Sequence, residues 1–171
     1  MRTMVAMSLL AAALFVGSDA SAQQAAVPDA MPYDVPYGPS ITADRAAQLA
    51  QAVMAEARRS PRNWKLAIAV VDTNGDLVYF YKMDQTQIAS TTIAIGKART
   101  AVRLRRATQV FFDQMQTPAG SYIVTLDPTL VASPGGIPLV ENGHIIGAIG
   151  CSGAAGAQDH VACAAGASTL R

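Results

Sequence analysis

The stretch Gly135–Gly153, reading GGIPLVENGHIIGAIGCSG, constrains this chain more than any other. Two apolar runs flank Asn142-Gly143, the strongest short-range signal for a β-hairpin. Glycines at both ends mark backbone that bends sharply or passes close to another group. The spacing therefore predicts strands over Ile137–Glu141 and His144–Gly150, followed by a glycine-rich loop and a helix from about Gln158 to Ser168. The hairpin reads as the floor of a ligand pocket.

The rest of the chain follows the same pattern of short hairpins and separate helices. Ala46, Leu49, Ala50, Val53 and Ala57 recur at helical spacing behind Thr42, a suitable N-cap. Leu66–Val71 is a continuous apolar run, as expected of a strand covered on both faces. Asn74-Gly75 turns it back into Leu77–Met83. A second helix over Ser90–Arg106 turns Ala94, Ala98, Ala101 and Val102 inward. Thr108 opens a third helix, ending at Met115. Tyr122–Leu126 reads as a strand, Asp127-Pro128 breaks it, and Leu130–Ala132 reads as a short edge strand. Antiparallel hairpins with segregated helices give an α+β fold of about five strands.

The ends carry different signals. Arg2, the apolar run Met4–Val16 and the small residues Ala20-Ser21-Ala22 have the form of a signal peptide over residues 1–22. That run is shorter than the ~20 residues a membrane-spanning helix needs. The expected product begins at Gln23 and is periplasmic or secreted, with no membrane span. Residues 23–40 hold four prolines, at 28, 32, 36 and 39, and read as an extended arm. The arm either hangs free or lies on a neighbouring subunit through Tyr33 and Tyr37. The folded domain is expected over 41–171.

Charge excludes some partners. Thirteen basic and 12 acidic residues leave a net charge of +1, which argues against nucleic acid. Only 15% of residues are charged, against a usual ~25%, so a homo-oligomer that hides apolar surface is expected. Five basic residues, Lys97, Arg99, Arg103, Arg105 and Arg106, crowd the second helix. Arg99, Arg103 and Arg106 share one face. That face is either simply solvated or a clamp for carboxylates, which arginine forks suit.

Several motifs resolve into weaker readings. Gly147, Gly150, Gly153 and Gly156 recur every third residue, but no G-x-G-x-x-G stands inside a βαβ unit, so a dinucleotide loop is rejected. What remains is free backbone N–H at the start of the last helix, suited to an anion. Two histidines and no C-x-x-C give no structural zinc site. A haem iron needs only one axial ligand, for which His144 and His160 are the candidates. Cys151 and Cys163 read as a disulfide in an exported chain. The other reading, Cys151 with His160 as nucleophile and base, lacks a third orienting group.

Four segments in order, IAVVDTNGDLV, Ala94 to Ala101 (A-x-x-K-A-x-T-A), the Gly135–Gly153 hairpin, and Gln158-Asp159 followed by Cys163-Ala164-Ala165-Gly166, resemble the GlcG/HbpS-like family. The resemblance covers about Ile41 to Leu170. It implies a profilin-like α+β fold, frequent oligomers and, in some members, haem binding. Lys97 and Thr100 match its second-helix motif, Gly135 and Gly136 its double-glycine loop, and Asp159 the acidic position opening the last helix. With Arg99, these form the expected ligand-binding set. Some members ligate haem through a histidine on the first helix, which this chain lacks, and Asp84-Gln85-Thr86 replaces the usual Asp-Gly-Ala. An axial ligand would then come from His144, His160, a methionine such as Met54, or a neighbouring subunit. The expected function is an exported haem-binding protein, a binder rather than an enzyme. The alternatives are an accessory binder of a small carboxylate, using Gly135–Gly136 and Lys97, and an enzyme acting on such a molecule.

Overall fold

The computed structural model describes residues 31, 33–59 and 61–170. The expected signal peptide and the first part of the arm lie outside them. Helix α1, Ala43–Arg58, starts where Thr42 Oγ1 accepts the Arg45 N–H at 3.4 Å, and it buries the five residues picked out by their spacing. Strands β1 (Ala67–Val71) and β2 (Leu77–Lys82) form the first hairpin. Helix α2 (Ser90–Leu104) and helix α3 (Thr108–Met115) follow. Strands β3 (Gly136–Glu141) and β4 (His144–Ser152) form the second hairpin, and helix α4 (Gly156–Ala167) closes the fold.

The α+β architecture agrees with the sequence, but the sheet has four strands, antiparallel in the order β2-β1-β4-β3, rather than about five. Tyr122–Leu126 is not a strand. Gly120–Thr125 is a 3₁₀ turn in which only Gly120 and Ile123 are buried, and Leu130–Ala132 is irregular. Tyr122, Val124 and Leu126 stay exposed, so an extended segment there would have no apolar face to cover. Pro138 in β3 also lacks the N–H with which an edge strand would pair a newcomer.

The two central strands divide the core. Ile68 and Val70 of β1, with Leu139, Ile149 and Cys151, pack under α1 and α4. Ala67, Ala69, Val71, Ile145 and Ala148 face α2, which answers with Ala94, Ala98, Ala101 and Val102. Small residues on both sides let α2 lie almost on the sheet. The closest approach is at Gly136 and Gly150, which are paired across β3 and β4. A Cβ on Gly136 would strike the Lys97 carbonyl oxygen, and one on Gly150 the Ala94 carbonyl oxygen. Gly150 therefore serves helix packing and does not open toward a ligand.

The arm belongs to this domain from Tyr33 onward. Strand β1 stops pairing with β4 at Val71–Ala148, which leaves residues 144–146 of β4 open on that side. Residues 36–41 fill the gap: Ile145 N donates to Pro36 O, Gly38 N to Ile145 O, and Ile41 N to Ile146 O, each at 2.8 Å. Tyr37 forms a parallel bridge with Ile145, and its hydroxyl donates to Val102 O at 2.8 Å. The Arg106 guanidinium lies 4.4 Å from the centre of the Tyr33 ring and that of Arg105 4.8 Å from the Tyr37 ring. Both tyrosines thus sit on their own chain. No helix among the described residues is long and apolar enough to cross a membrane.

Candidate functional site

The residues expected to bind a ligand separate into a sealed node and two open clefts. The node gathers Lys97, Gly135, Cys151 and Asp159. Lys97 projects from the sheet-facing side of α2, with 1% of its side chain exposed, and Asp159 from the first turn of α4, with 3% exposed. Lys97 Nζ donates to Asp159 Oδ2 at 2.8 Å and to Cys151 O at 3.0 Å. Asp159 Oδ1 accepts the Ala154 N–H at 3.0 Å. Burial lowers the Lys97 pKa, while the Asp159 hydrogen bond and charge pull the other way. Burial raises the Asp159 pKa against the opposing pull of Lys97 and of the Ala154 and Gly153 amides. Burial and pairing thus act in opposite senses on both groups, as expected of a buried ion pair.

The double glycine is part of this node. Gly135 has φ +115°, and a Cβ there would lie 2.8 Å from Cys151 O, 2.9 Å from Asp159 Cβ and 3.2 Å from Lys97 Nζ. Thr108 does not cap α3. Its hydroxyl donates to Ser133 O at 2.6 Å and accepts the Gly136 N–H at 2.8 Å, which fixes the loop against α3. Just before α4, Asp159 Oδ1 accepts the Ala154 N–H and Gln158 Oε1 accepts the Ala155 N–H at 3.1 Å. Thr100 is also buried and accepts the Val131 N–H at 3.0 Å. A carboxylate ligand at Gly135–Gly136 would find no free cation, because the Lys97 ammonium is already held by Asp159.

Cys151 and Cys163 are joined in a disulfide, both fully buried. The bridge ties the end of β4 to α4 one turn beyond Asp159, so it braces the same node. No free cysteine remains among the described residues for nucleophilic chemistry.

The first cleft, about 610 Å³, lies between the β1–β2 turn, α2 and the 127–131 loop. Arg99, two residues beyond Lys97 on α2, lines it, and its Nε donates to Gly75 O at 3.0 Å. The second cleft, about 390 Å³, lies between the arm, the start of α1 and the β3–β4 turn. It is lined by Pro39, Ile41, Arg45, Glu141, His144 and Ile146, among others. His144 Nδ1 is 2.9 Å from Asn142 O, and the imidazole makes no other hydrogen bond among the described residues. A Cβ on Gly38 would meet His144 Cβ at 2.8 Å and Cγ at 3.4 Å, so the docked arm forms one wall of the ring's seat. Arg45 pairs with Glu141 across the cleft.

His160, the other histidine, is half-buried on α4 and lines neither cleft. Its Nδ1 is buried without a hydrogen-bond partner among the described residues. Met54 packs against the core below α1. Sequence reasoning missed Arg45, which sits on the first turn of α1 and looks like any solvated helix residue. It also missed the second cleft, because the arm that walls it has no helical or alternating pattern.

The family model for "Haem degrading protein HbpS-like" matches residues 41–168. The protein GlcG of Escherichia coli K12 is 35% identical over 107 residues, 61% of this chain and 78% of GlcG. A Streptomyces reticuli HbpS double mutant superposes with a TM-score of 0.71 at 26% identity, covering 86% of this chain and 98% of that one. The fold is also that of the PduOC:heme complex, with a TM-score of 0.68 at 24% identity over 77% of this chain and 96% of that one. The chain belongs to the HbpS-like family.

Proposed function

We propose that this protein binds haem, or a closely related tetrapyrrole, at the cleft around His144, and that it does so after export and as an oligomer. The observation that carries the reading is the state of His144. A ligating histidine usually donates its second ring nitrogen to a carbonyl or carboxylate, which fixes the tautomer and leaves the other nitrogen's lone pair for the metal. His144 has this arrangement, with Nδ1 against Asn142 O and Nε2 free. Around it, Pro39, Ile41 and Ile146 offer apolar surface to a ring, and Arg45, whose Nη2 is held by Glu141, keeps further N–H donors for a propionate. A volume of about 390 Å³ is within the ~300–1,000 Å³ of small-molecule sites. Bound haem would supply an iron centre that takes an axial imidazole. The chain's part is to hold the imidazole, cover the ring and hydrogen-bond its carboxylates.

Family membership supports this reading, since the matching family is described as haem-degrading. The signal-peptide pattern and the buried disulfide, which suits an oxidising compartment, support export. The low charge content supports an oligomer.

Titration with hemin tests the ligand. The expected result is a saturable Soret shift with a His–iron signature that His144→Ala removes and His160→Ala leaves in place. His144 is exposed, so its replacement should leave the melting temperature within experimental error of the parent. An unchanged Soret shift in His144→Ala would overturn the assignment. Analytical ultracentrifugation of the mature protein checks the oligomer.

A further inference from the structure

We infer that the larger cleft, beside Arg99, is a second binding site, and that its ligand is a small zwitterion with a carboxylate at one end and an ammonium at the other. The site is independent of the haem reading: it lies along α2 and shares no lining residue with the His144 cleft.

The cleft is a built feature. Its far wall is the 127–131 loop, which is held to α2 at three points. Arg103 Nη2 pairs with Asp127 Oδ2 at 2.5 Å, Arg103 Nη1 donates to Thr129 Oγ1 at 3.0 Å, and Val131 N donates to Thr100 Oγ1 at 3.0 Å. The near wall is the β1–β2 turn, locked by Asp72 Oδ1, which accepts the Asn74 N–H at 2.8 Å and the Asp76 N–H at 2.9 Å. Neither wall has to be ordered by a ligand, which lowers the cost of binding.

The charges inside are what select the ligand. Arg103 is neutralised. The Thr129 hydroxyl and amide, then Arg103 itself, hold the Asp127 carboxyl below its usual range, so the pair stays ionised. Arg99 is different. Only its Nε is engaged, with Gly75 O, and it forms no ion pair among the described residues. That single bond anchors the guanidinium and leaves both Nη groups as a fork, the geometry that takes a carboxylate end-on. Asp76 lines the same cleft, and its carboxylate likewise has no ion-pair partner among the described residues. One uncommitted cation and one uncommitted anion in one cleft match a ligand bearing one charge of each sign. A dianion such as phosphate would meet Asp76 uncompensated.

The test is a ligand series read by chemical-shift titration of the full mature protein. Glycine, β-alanine and γ-aminobutyrate are compared with acetate, propionate and butyrate, with the simple alkylamines, and with inorganic phosphate. The expected result is saturable shifts at Gly75, Gly96 and Thr129, with at least one amino acid bound about tenfold tighter than its plain carboxylate. Arg99→Ala should abolish saturation, Arg99→Lys should weaken binding because the fork is lost, and Asp76→Asn should erase the preference for the amino acid. Any of four outcomes overturns the proposal: no saturable ligand, binding unchanged in Arg99→Ala, a preference that survives Asp76→Asn, or phosphate bound more tightly than every amino acid.

Discussion

Lys97 and Arg99 stand two residues apart on α2 and have opposite fates. Two residues turn a helix by about 200°, so the pair points to opposite sides. Lys97 faces the sheet, reaches Asp159 and Cys151 O, and is sealed. Arg99 faces the loops, spends one nitrogen on Gly75 O, and keeps its fork. The same charge on the same helix is structural on one face and free for a ligand on the other. Which role a cation takes is set by what lies across from it: a buried carboxylate or an open cleft.

The strongest way to break this contrast is to remove Lys97. Lys97→Met leaves the Asp159 carboxylate buried without its cation and is expected to cost about 3–5 kcal/mol in urea unfolding. Adding Asp159→Leu should recover most of that loss, because the pair's own desolvation disappears with it. If the double variant is no more stable than the single, the node is not an isolated ion pair. Next in size is the disulfide that braces the node. Its reduction, or Cys151→Ala with Cys163→Ala, should cost about 3 kcal/mol on the chain-entropy estimate for so short a loop. Native protein should resist mild reductant, since both sulfurs are buried.

The pH response sharpens the same point on a smaller scale. Burial holds the Asp159 pKa above its ordinary value, so between the two values the folded chain binds more protons than the unfolded one. Its contribution to stability therefore falls as pH rises through that window. Asp159→Asn has no such slope. Unfolding midpoints measured from about pH 7 to about pH 3 should show the parent gaining on the variant as pH drops. A gap that is flat with pH would mean that Asp159 is not shifted upward. The smallest effect belongs to Arg99: Arg99→Ala should cost less than about 1 kcal/mol, one partly exposed hydrogen bond, while it removes ligand binding. A large loss of stability would move Arg99 into the same class as Lys97.

The sequence was most informative where a periodic pattern met a turn signal. The Asn142-Gly143 hairpin, the apolar strand at Ala67–Val71 and the alanine face of α2 all stand where spacing put them. Tyr122–Leu126 misled because its apolar residues alternate without a sheet to face. The family motif drew attention to Lys97, Gly135, Gly136 and Asp159 as a set, and they do meet. What no motif carries is whether such a set is open or sealed. That depends on Gly136 and Gly150 letting α2 drop onto the sheet, a contact between segments far apart in the chain. The arm was legible only as a run of prolines. Its register against Ile145 rests on a gap in β1–β4 pairing that has no counterpart in local sequence.

That gap sets a timetable. Residues 36–41, among the first of the domain to be synthesised, have as their pairing partner the start of β4, among the last. Strand β1 likewise waits for β4, and α2 for the glycine pair on β3 and β4 that it crosses. A ribosome-bound chain ending before His144 would hold β1, β2, β3 and a few helices without β4, the strand that joins β1 to β3. Such long-range closure slows folding and makes it all-or-none. The domain should therefore fold only once essentially complete, and C-terminal truncations that remove β4 should yield no partly folded intermediate.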